Sequence, residues 1–219
     1  LARPIAHRGL HGAGVPENSM AAFRAAVAAG YAIEMDIQPA ADGTPLVFHD
    51  DHLFRLTGTD GPIAGLSVAD AAALRLLDSD QGIPTLAGVL AEVAGRVPLL
   101  IEVKDSDGAL GPDVGALPTR VADVLSAYAG PVAVMSFNPH AVAAVHAQPG
   151  LPGQTASFSH SHSSPADKTF SSSQLWAWGQ SIHSLWRASQ RPPLVLPAGS
   201  RLQAPGPVGL GSAQPLAGD

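Results

Sequence analysis

Not one cysteine occurs in the 219 residues, so disulfides, zinc–thiolate centres and thiol nucleophiles are excluded. Charge is sparse as well: 14% of residues are Asp, Glu, Lys or Arg, with a formal net charge of -6 and no dense basic stretch. Nucleic acid and an anionic membrane are therefore poor candidates for main partners. No apolar run approaches the roughly 20 residues of a membrane span, and no charged start leads into an apolar stretch as in a signal peptide. These absences favour a cytoplasmic protein without an integral membrane segment. The chain starts at Leu1 rather than Met, so a removed leader, and with it a periplasmic or secreted form, stays open. What is present is a hydrophobic fraction of 46%, enough at this length for one sizeable core.

Hydrophobic periodicity gives an alternation of strand and helix through about residue 147. Short apolar runs predict strands at Pro4 to Ala6, Tyr31 to Ile37, Leu46 to Phe48, Pro98 to Val103 and Val132 to Phe137. Between them, Asn18 is placed to cap an Ala-rich helix over 19–29 that Gly30 closes, and Thr85 to cap "LAGVLAEVAG". Further helical patterns span Val68 to Leu77, Val114 to Tyr128 and Pro139 to Ala147. This order predicts an α/β fold with a mainly parallel sheet, whose chemistry lies at the carboxyl ends of the strands. The polar residues gather there: His7 and Arg8 after the first strand, Glu34 and Asp36 at the end of the second, His49 and Asp50 after the third, Glu102 and Lys104 at the fourth.

Side chains two apart on a strand share a face with alpha carbons about 6.5 to 7 Å apart. Glu34 and Asp36 can thus converge on one point, and Glu102, which repeats that spacing with Lys104 on another strand, can meet them at one rim. Three clustered carboxylates repel one another unless a cation sits among them. Oxygen ligands alone suit a hard divalent ion, Mg²⁺ or Ca²⁺, better than zinc. The competing reading is a buried ion-pair network of Glu34 or Asp36 with Arg8 or Lys104. Arg8 and Lys104 beside such a cation suit an anionic substrate, because guanidinium and ammonium both grip phosphate oxygens. His7 and His49 supply one group to take a proton and one to give it, the needs of phosphodiester cleavage. His11, His52, His140 and His146 have no comparable placement and read as surface or loop residues.

At these residues the sequence resembles the glycerophosphodiester phosphodiesterase family. The stretches that carry the resemblance are "IAHRGLHGAGVPENSMAAF", "AIEMDIQPAADGTPLVFHDDHLFRLTG", "IPTLAGVLAEV", "LLIEVK" and "VMSFNP". They stand in the family's order and spacing over about the first 148 residues. The resemblance implies a (β/α)8 TIM-type barrel, here with about five family-like strands. It implies hydrolysis of a small-molecule glycerophosphodiester to glycerol 3-phosphate and an alcohol with a divalent metal. It makes His7 and His49 the acid/base pair, Glu34, Asp36 and Glu102 the metal ligands, and Arg8 and Lys104 the phosphate contacts. Glu17 and Asn18, in "PEN", fit either supports for the site or a plain helix cap.

The character of the chain changes after residue 150. Residues 151–219 hold two acidic residues, Asp167 and Asp219, against sixteen before them, and all three tryptophans. Serine, proline and glycine dominate, so 1–150 reads as the barrel portion and 151–219 as an irregular tail. Such a shift is what an out-of-frame continuation of a GC-rich gene would give, and "HSH" at His160 to His162 reads as part of that tail. Two other functions stay open. One is a phospholipase D-like or phosphoinositide-cleaving barrel using the same residues. The other is an incomplete, inactive barrel that binds metal or phosphate without turnover.

Overall fold

In the computed structural model, which describes residues 4–149, residue 151 and the strand at 155–159, the sheet is built around one long strand. After β1 (Ile5–Ala6) and helix α1 (Met20–Ala29), β2 (Ala32–Pro39) turns back into β3 (Pro45–Val47). The short helices α2 (Phe54–Thr57) and α3 (Val68–Ala73) follow, then α4 (Leu86–Val93), β4 (Leu99–Val103), α5 (Leu117–Leu125), β5 (Val132–Ser136), α6 (Pro139–His146) and β6 (Thr155–Ser159). The parallel path runs β1-β2-β4-β5-β6, and β3 lies off it, paired with β2. Among the described residues nothing pairs β1 with β6, so the sheet is an open portion of a barrel wall.

The predicted third barrel strand is therefore corrected. β3 is antiparallel to β2, with Ile37 opposite Val47 and Pro39 opposite Pro45. The physical reason is the loop between them: residues 40–44 suffice for a hairpin, whereas a parallel return needs a crossover of a dozen residues or more. β3 divides its side chains: Val47 packs in the main core, and Leu46 joins a separate apolar cluster with Phe48, Leu53, Leu56, Ile63, Ala71, Leu76 and Ile83. That cluster, an apolar plate, takes Leu53 and Leu56 from the segment after β3.

The main core lies between the sheet and its helices. Ile33, Met35 and Ile37 of β2 and Leu99, Ile101 and Val103 of β4 pack with Phe23 of α1, Val89 and Val93 of α4, and Val121 and Leu125 of α5. By strand alternation the intervening residues, Glu34, Asp36, Leu100 and Glu102, face the opposite side, the barrel interior. Every residue of β4 and β5 is buried, as expected for parallel strands covered on both faces.

Several boundaries differ from expectation for identifiable reasons. Ser19, not Asn18, caps α1: its hydroxyl accepts the Ala22 N–H. Asn18 sits one residue earlier with φ at 52° and is withdrawn into the site. α3 stops at Ala73 rather than Leu77 because the next amides are taken elsewhere: Leu76 donates to the Gln81 carbonyl and Leu77 to that of Leu56. Thr85 caps α4 as expected, accepting the Gly88 N–H, and Gly30 closes α1 in the left-handed conformation, φ 70°. β6 lies inside the stretch read as an irregular tail. It aligns parallel to β5, with Val132 opposite Thr155 and Ser136 opposite Ser159. The sequence TASFS alternates, but its small polar members hide the strand among neighbouring serines. His160 to His162 and the rest of the tail lie outside the described residues.

Candidate active site

β2 and β4 bring the three carboxylates together. Asp36 lies directly opposite Glu102 in the parallel ladder, and Glu34 opposite Leu100 one pleat below. One oxygen from each of Glu34, Asp36 and Glu102 falls within 4.8 Å of the others. All three are buried, at 0%, 1% and 3% exposure. Glu34 and Asp36 stand within β2 rather than at its end, since β2 continues to Pro39 to meet β3, while Glu102 is next to last in β4, as expected. The expected position is corrected to that extent, while the predicted convergence is present.

Two cations enter the same space. Lys104, one pleat beyond Glu102, places Nζ 2.6 Å from Asp36 Oδ1 and 2.5 Å from Glu102 Oε1. Arg8 places Nε 3.3 Å from Asp36 Oδ2, while its backbone N–H donates to Glu34 Oε2 at 2.9 Å. That backbone bond depends on a left-handed turn, with Arg8 at φ 55° and Gly9 at 81°. A Cβ on Gly9 would lie 2.7 Å from the Ala22 Cβ, so only glycine lets α1 pack this closely under the turn. Asn18 Nδ2 donates to Asp36 Oδ2 at 2.9 Å. The ion-pair network and the carboxylate cluster are thus both present.

The histidines flank the cluster. His7 Nε2 lies 3.8 Å from Glu34 Oε2. His49 Nδ1 lies 2.6 Å from Asp50 Oδ1, which occupies that nitrogen and leaves Nε2 free of it. His11, His52, His140 and His146 are exposed, in line with their reading as surface residues. Glu17 does not cap the helix. Its Oε1 accepts from Arg8 Nη1 at 2.9 Å and from Arg55 Nη2 at 2.7 Å.

Arg55 is a site-adjacent residue that the sequence does not single out, and Asp50, which stands with His49 at the end of the third strand, has a partner there that the sequence does not show. Arg55 Nε and Nη2 donate to Asp50 Oδ2 and Oδ1 at 2.5 and 3.0 Å. The available signal is Asp50 following His49 directly, with Arg55 five positions later. Nothing in the spacing reveals that Arg55 also reaches Glu17, 38 positions away.

Burial, joined by the charges of Asp36 and Glu102, pushes the Glu34 carboxyl well above its usual range. Burial acts upward on Asp36 too, but Lys104, His49 and Arg8 outweigh it and hold that carboxyl low. Glu102 ends up raised, burial and Asp36 prevailing over Lys104. Burial would lower Lys104, yet Asp36 and Glu102 keep it above its ordinary value. His7 and His49 are both lowered, chiefly by burial, and next by Arg8 and Lys104 respectively.

Three carboxylates against the two cations Lys104 and Arg8 leave one formal negative charge uncompensated. Among the described residues three buried side-chain atoms have no hydrogen-bond partner, the acceptors Glu34 Oε1 and Asn18 Oδ1 and the donor Arg8 Nε. Bare oxygens beside an excess of negative charge fit a hard divalent cation in this place. The residues that would hold it are Glu34, Asp36 and Glu102.

Parallel strands covered by helices, with acids, cations and histidines converging inside, define a TIM-type barrel portion with a buried cluster of titratable groups. Residues 7–185 match the profile of the Glycerophosphoryl diester phosphodiesterase family, and the chain belongs to that family. The match runs past the motifs legible in the sequence and takes in β6. A glycerophosphodiester phosphodiesterase of Caldanaerobacter subterraneus is 33% identical over 111 residues, covering 48% of this chain and 45% of the relative. Human glycerophosphodiester phosphodiesterase 1 is 39% identical over 98 residues, covering 40% of this chain and 29% of the relative. The chain thus spans less than half the length of these curated relatives. Among solved structures, an Oleispira antarctica phosphodiesterase in complex with the product sn-glycerol-3-phosphate superposes with a TM-score of 0.63 at 26% identity. That superposition covers 84% of this chain and 72% of the other. A glycerophosphodiester phosphodiesterase from Agrobacterium tumefaciens gives 0.57 at 26% identity over 67% and 62% of the two chains.

Proposed function

We propose that this chain carries out metal-dependent hydrolysis of glycerophosphodiesters to glycerol 3-phosphate and an alcohol. The observation that carries the reading is the buried triad Glu34, Asp36 and Glu102, within 4.8 Å, with His7 at its edge and His49 held by Asp50. Family membership and the product bound in the Oleispira relative support the substrate class. A divalent cation held by the triad, Mg²⁺ or Ca²⁺, would stabilise negative charge on the phosphoryl oxygens.

This chain's own residues supply the rest. Arg8 and Lys104 present donors to the phosphate from two sides. Their present partners are carboxylates, so an arriving phosphate competes for donors already aimed into the cavity. His7 and His49 are lowered toward the neutral form, which readies either ring to accept a proton from the attacking hydroxyl. The other, once protonated, donates to the leaving oxygen, each transfer contributing about 10² to 10⁴ in rate. No helix among the described residues is long and apolar enough to cross a membrane. A small diester reaching the cavity from solvent is the substrate this arrangement suits.

The test is hydrolysis of glycerophosphocholine by purified protein with Mg²⁺ or Ca²⁺. Release of glycerol 3-phosphate should require the cation and fall by at least about 10²-fold in His7→Ala. Lysophospholipid and inositol lipid, assayed alongside, separate this function from the phospholipase D-like and phosphoinositide-cleaving alternatives. A folded, monodisperse sample inactive on all three would establish the inactive barrel instead.

A further inference from the structure

Arg55 belongs to α2, a four-residue helix whose neighbours Leu53 and Leu56 are buried at 2% and 3% exposure in the apolar plate. The backbone beneath Arg55 is therefore fixed from behind, and the guanidinium reaches outward between two parts of the site. On one side it takes Asp50 with both arms of its fork, 2.5 and 3.0 Å. Asp50 Oδ1, the oxygen that receives Nη2, is also 2.6 Å from His49 Nδ1. On the other side the same Nη2 reaches Glu17 Oε1 at 2.7 Å. Glu17 Oε1 in turn accepts Arg8 Nη1 at 2.9 Å, and Arg8 Nε faces Asp36.

We infer that Arg55 is a positioning residue: by bridging Asp50 and Glu17 it holds the His49 ring and the Arg8 guanidinium in one fixed relation. The inference rests on the proposed function in taking His49 as an acid/base group and Arg8 as a phosphate contact. A carboxylate on a partly exposed loop can rotate about its terminal bond, and the imidazole bonded to it then loses its orientation. Two parallel N–H donors from a planar fork remove that rotation. With Asp50 fixed, His49 Nδ1 is committed to it, and Nε2 becomes the nitrogen available to substrate. Glu17 carries the same constraint across to Arg8. The hairpin and the plate behind it acquire a purpose: they place one guanidinium between the loop after β1 and the loop after β3. A lysine could not substitute, because a single ammonium cannot span the bidentate Asp50 contact and the Glu17 contact together.

The experiment compares wild type with Arg55→Gln, Arg55→Lys and Asp50→Asn on glycerophosphocholine with Mg²⁺. The His49 ring nitrogens are followed by ¹⁵N NMR, assigned by their loss in His49→Asn. Arg55→Gln should lower kcat about 10- to 100-fold, the cost of misplacing a reacting group. KM should rise by a smaller factor than kcat falls, because Arg8 keeps its contact with Asp36, and the His49 ring should pass from one tautomer with a slowly exchanging Nδ1 proton to a mixture. Arg55→Lys should recover only part of kcat. An unchanged kcat and an unchanged ring signal in folded Arg55→Gln would overturn the inference, as would a rise in KM at constant kcat, which marks a substrate contact. If Arg55→Gln does not fold, Asp50→Asn decides on the same two readouts, and unchanged values there overturn it. An inactive wild type defeats the proposed function alone, since the ring signal still reports whether Arg55 orients His49.

Discussion

Glu34 is fully buried, accepts the Arg8 backbone N–H through Oε2 and offers Oε1 to no donor. Its neighbours Asp36 and Glu102 repel its charge, so ionised Glu34 costs stability that a bound cation would return. Glu34→Gln keeps the shape and removes the charge. Without metal it should melt at or above the wild-type temperature, and added Mg²⁺ or Ca²⁺ should no longer raise that temperature; thermal melts with and without chelator read both effects. Lys104→Met should do the reverse, leaving Asp36 and Glu102 buried without their ammonium. The expected loss is about 3 to 5 kcal/mol, measured by urea unfolding. The residues that converge were legible because a period of two puts Glu34 and Asp36 on one face whatever the fold. Arg55 was not, because its contacts with Asp50 and Glu17 join loops that only the packed plate brings together.

Secondary elements place these residues, and their ends explain where sequence reasoning slipped. Asn18 and Ser19 are both good caps by residue type, and the choice between them was made by the site. Asn18 is drawn inward to Asp36, leaving Ser19 to hold the Ala22 amide. Ser19→Ala should therefore cost about 1 kcal/mol in stability, visible in denaturant melts, and should leave divalent-cation binding intact. β3 was recognised as a strand but not its direction, since alternation is blind to whether the next strand returns by a hairpin or a crossover. The five-residue loop held that information. β6 was missed because threonine, alanine and serine give a weak strand pattern in a serine-rich stretch.

At the scale of the whole molecule, folding stability without metal should depend on pH through opposed groups. His7 and His49 sit below 6.5 in the folded chain. Glu17 and Asp50 sit below 4.5 and 3.8: burial acts to raise both carboxyls, and hydrogen bonds from Arg55 outweigh it. For all four the unfolded chain binds more protons, so their contribution is complete above the unfolded value and is lost as pH falls through the folded one. Glu34 and Glu102 are raised, so their contribution runs the other way and is lost as pH rises. The melting-temperature gap between Glu34→Gln and wild type in chelator should therefore widen as pH rises above the ordinary glutamate range. A constant gap would mean that Glu34 is not held above its ordinary range. On the proposed reading, β2 and β4 build a divalent-cation site in the barrel interior, around which the histidines and cations are arranged. Isothermal titration calorimetry with Mg²⁺ or Ca²⁺ tests it most directly. Saturable binding of one ion per chain is expected in the wild type, and none in Glu34→Gln. Equal binding in the two proteins, or none in folded wild type, would contradict it.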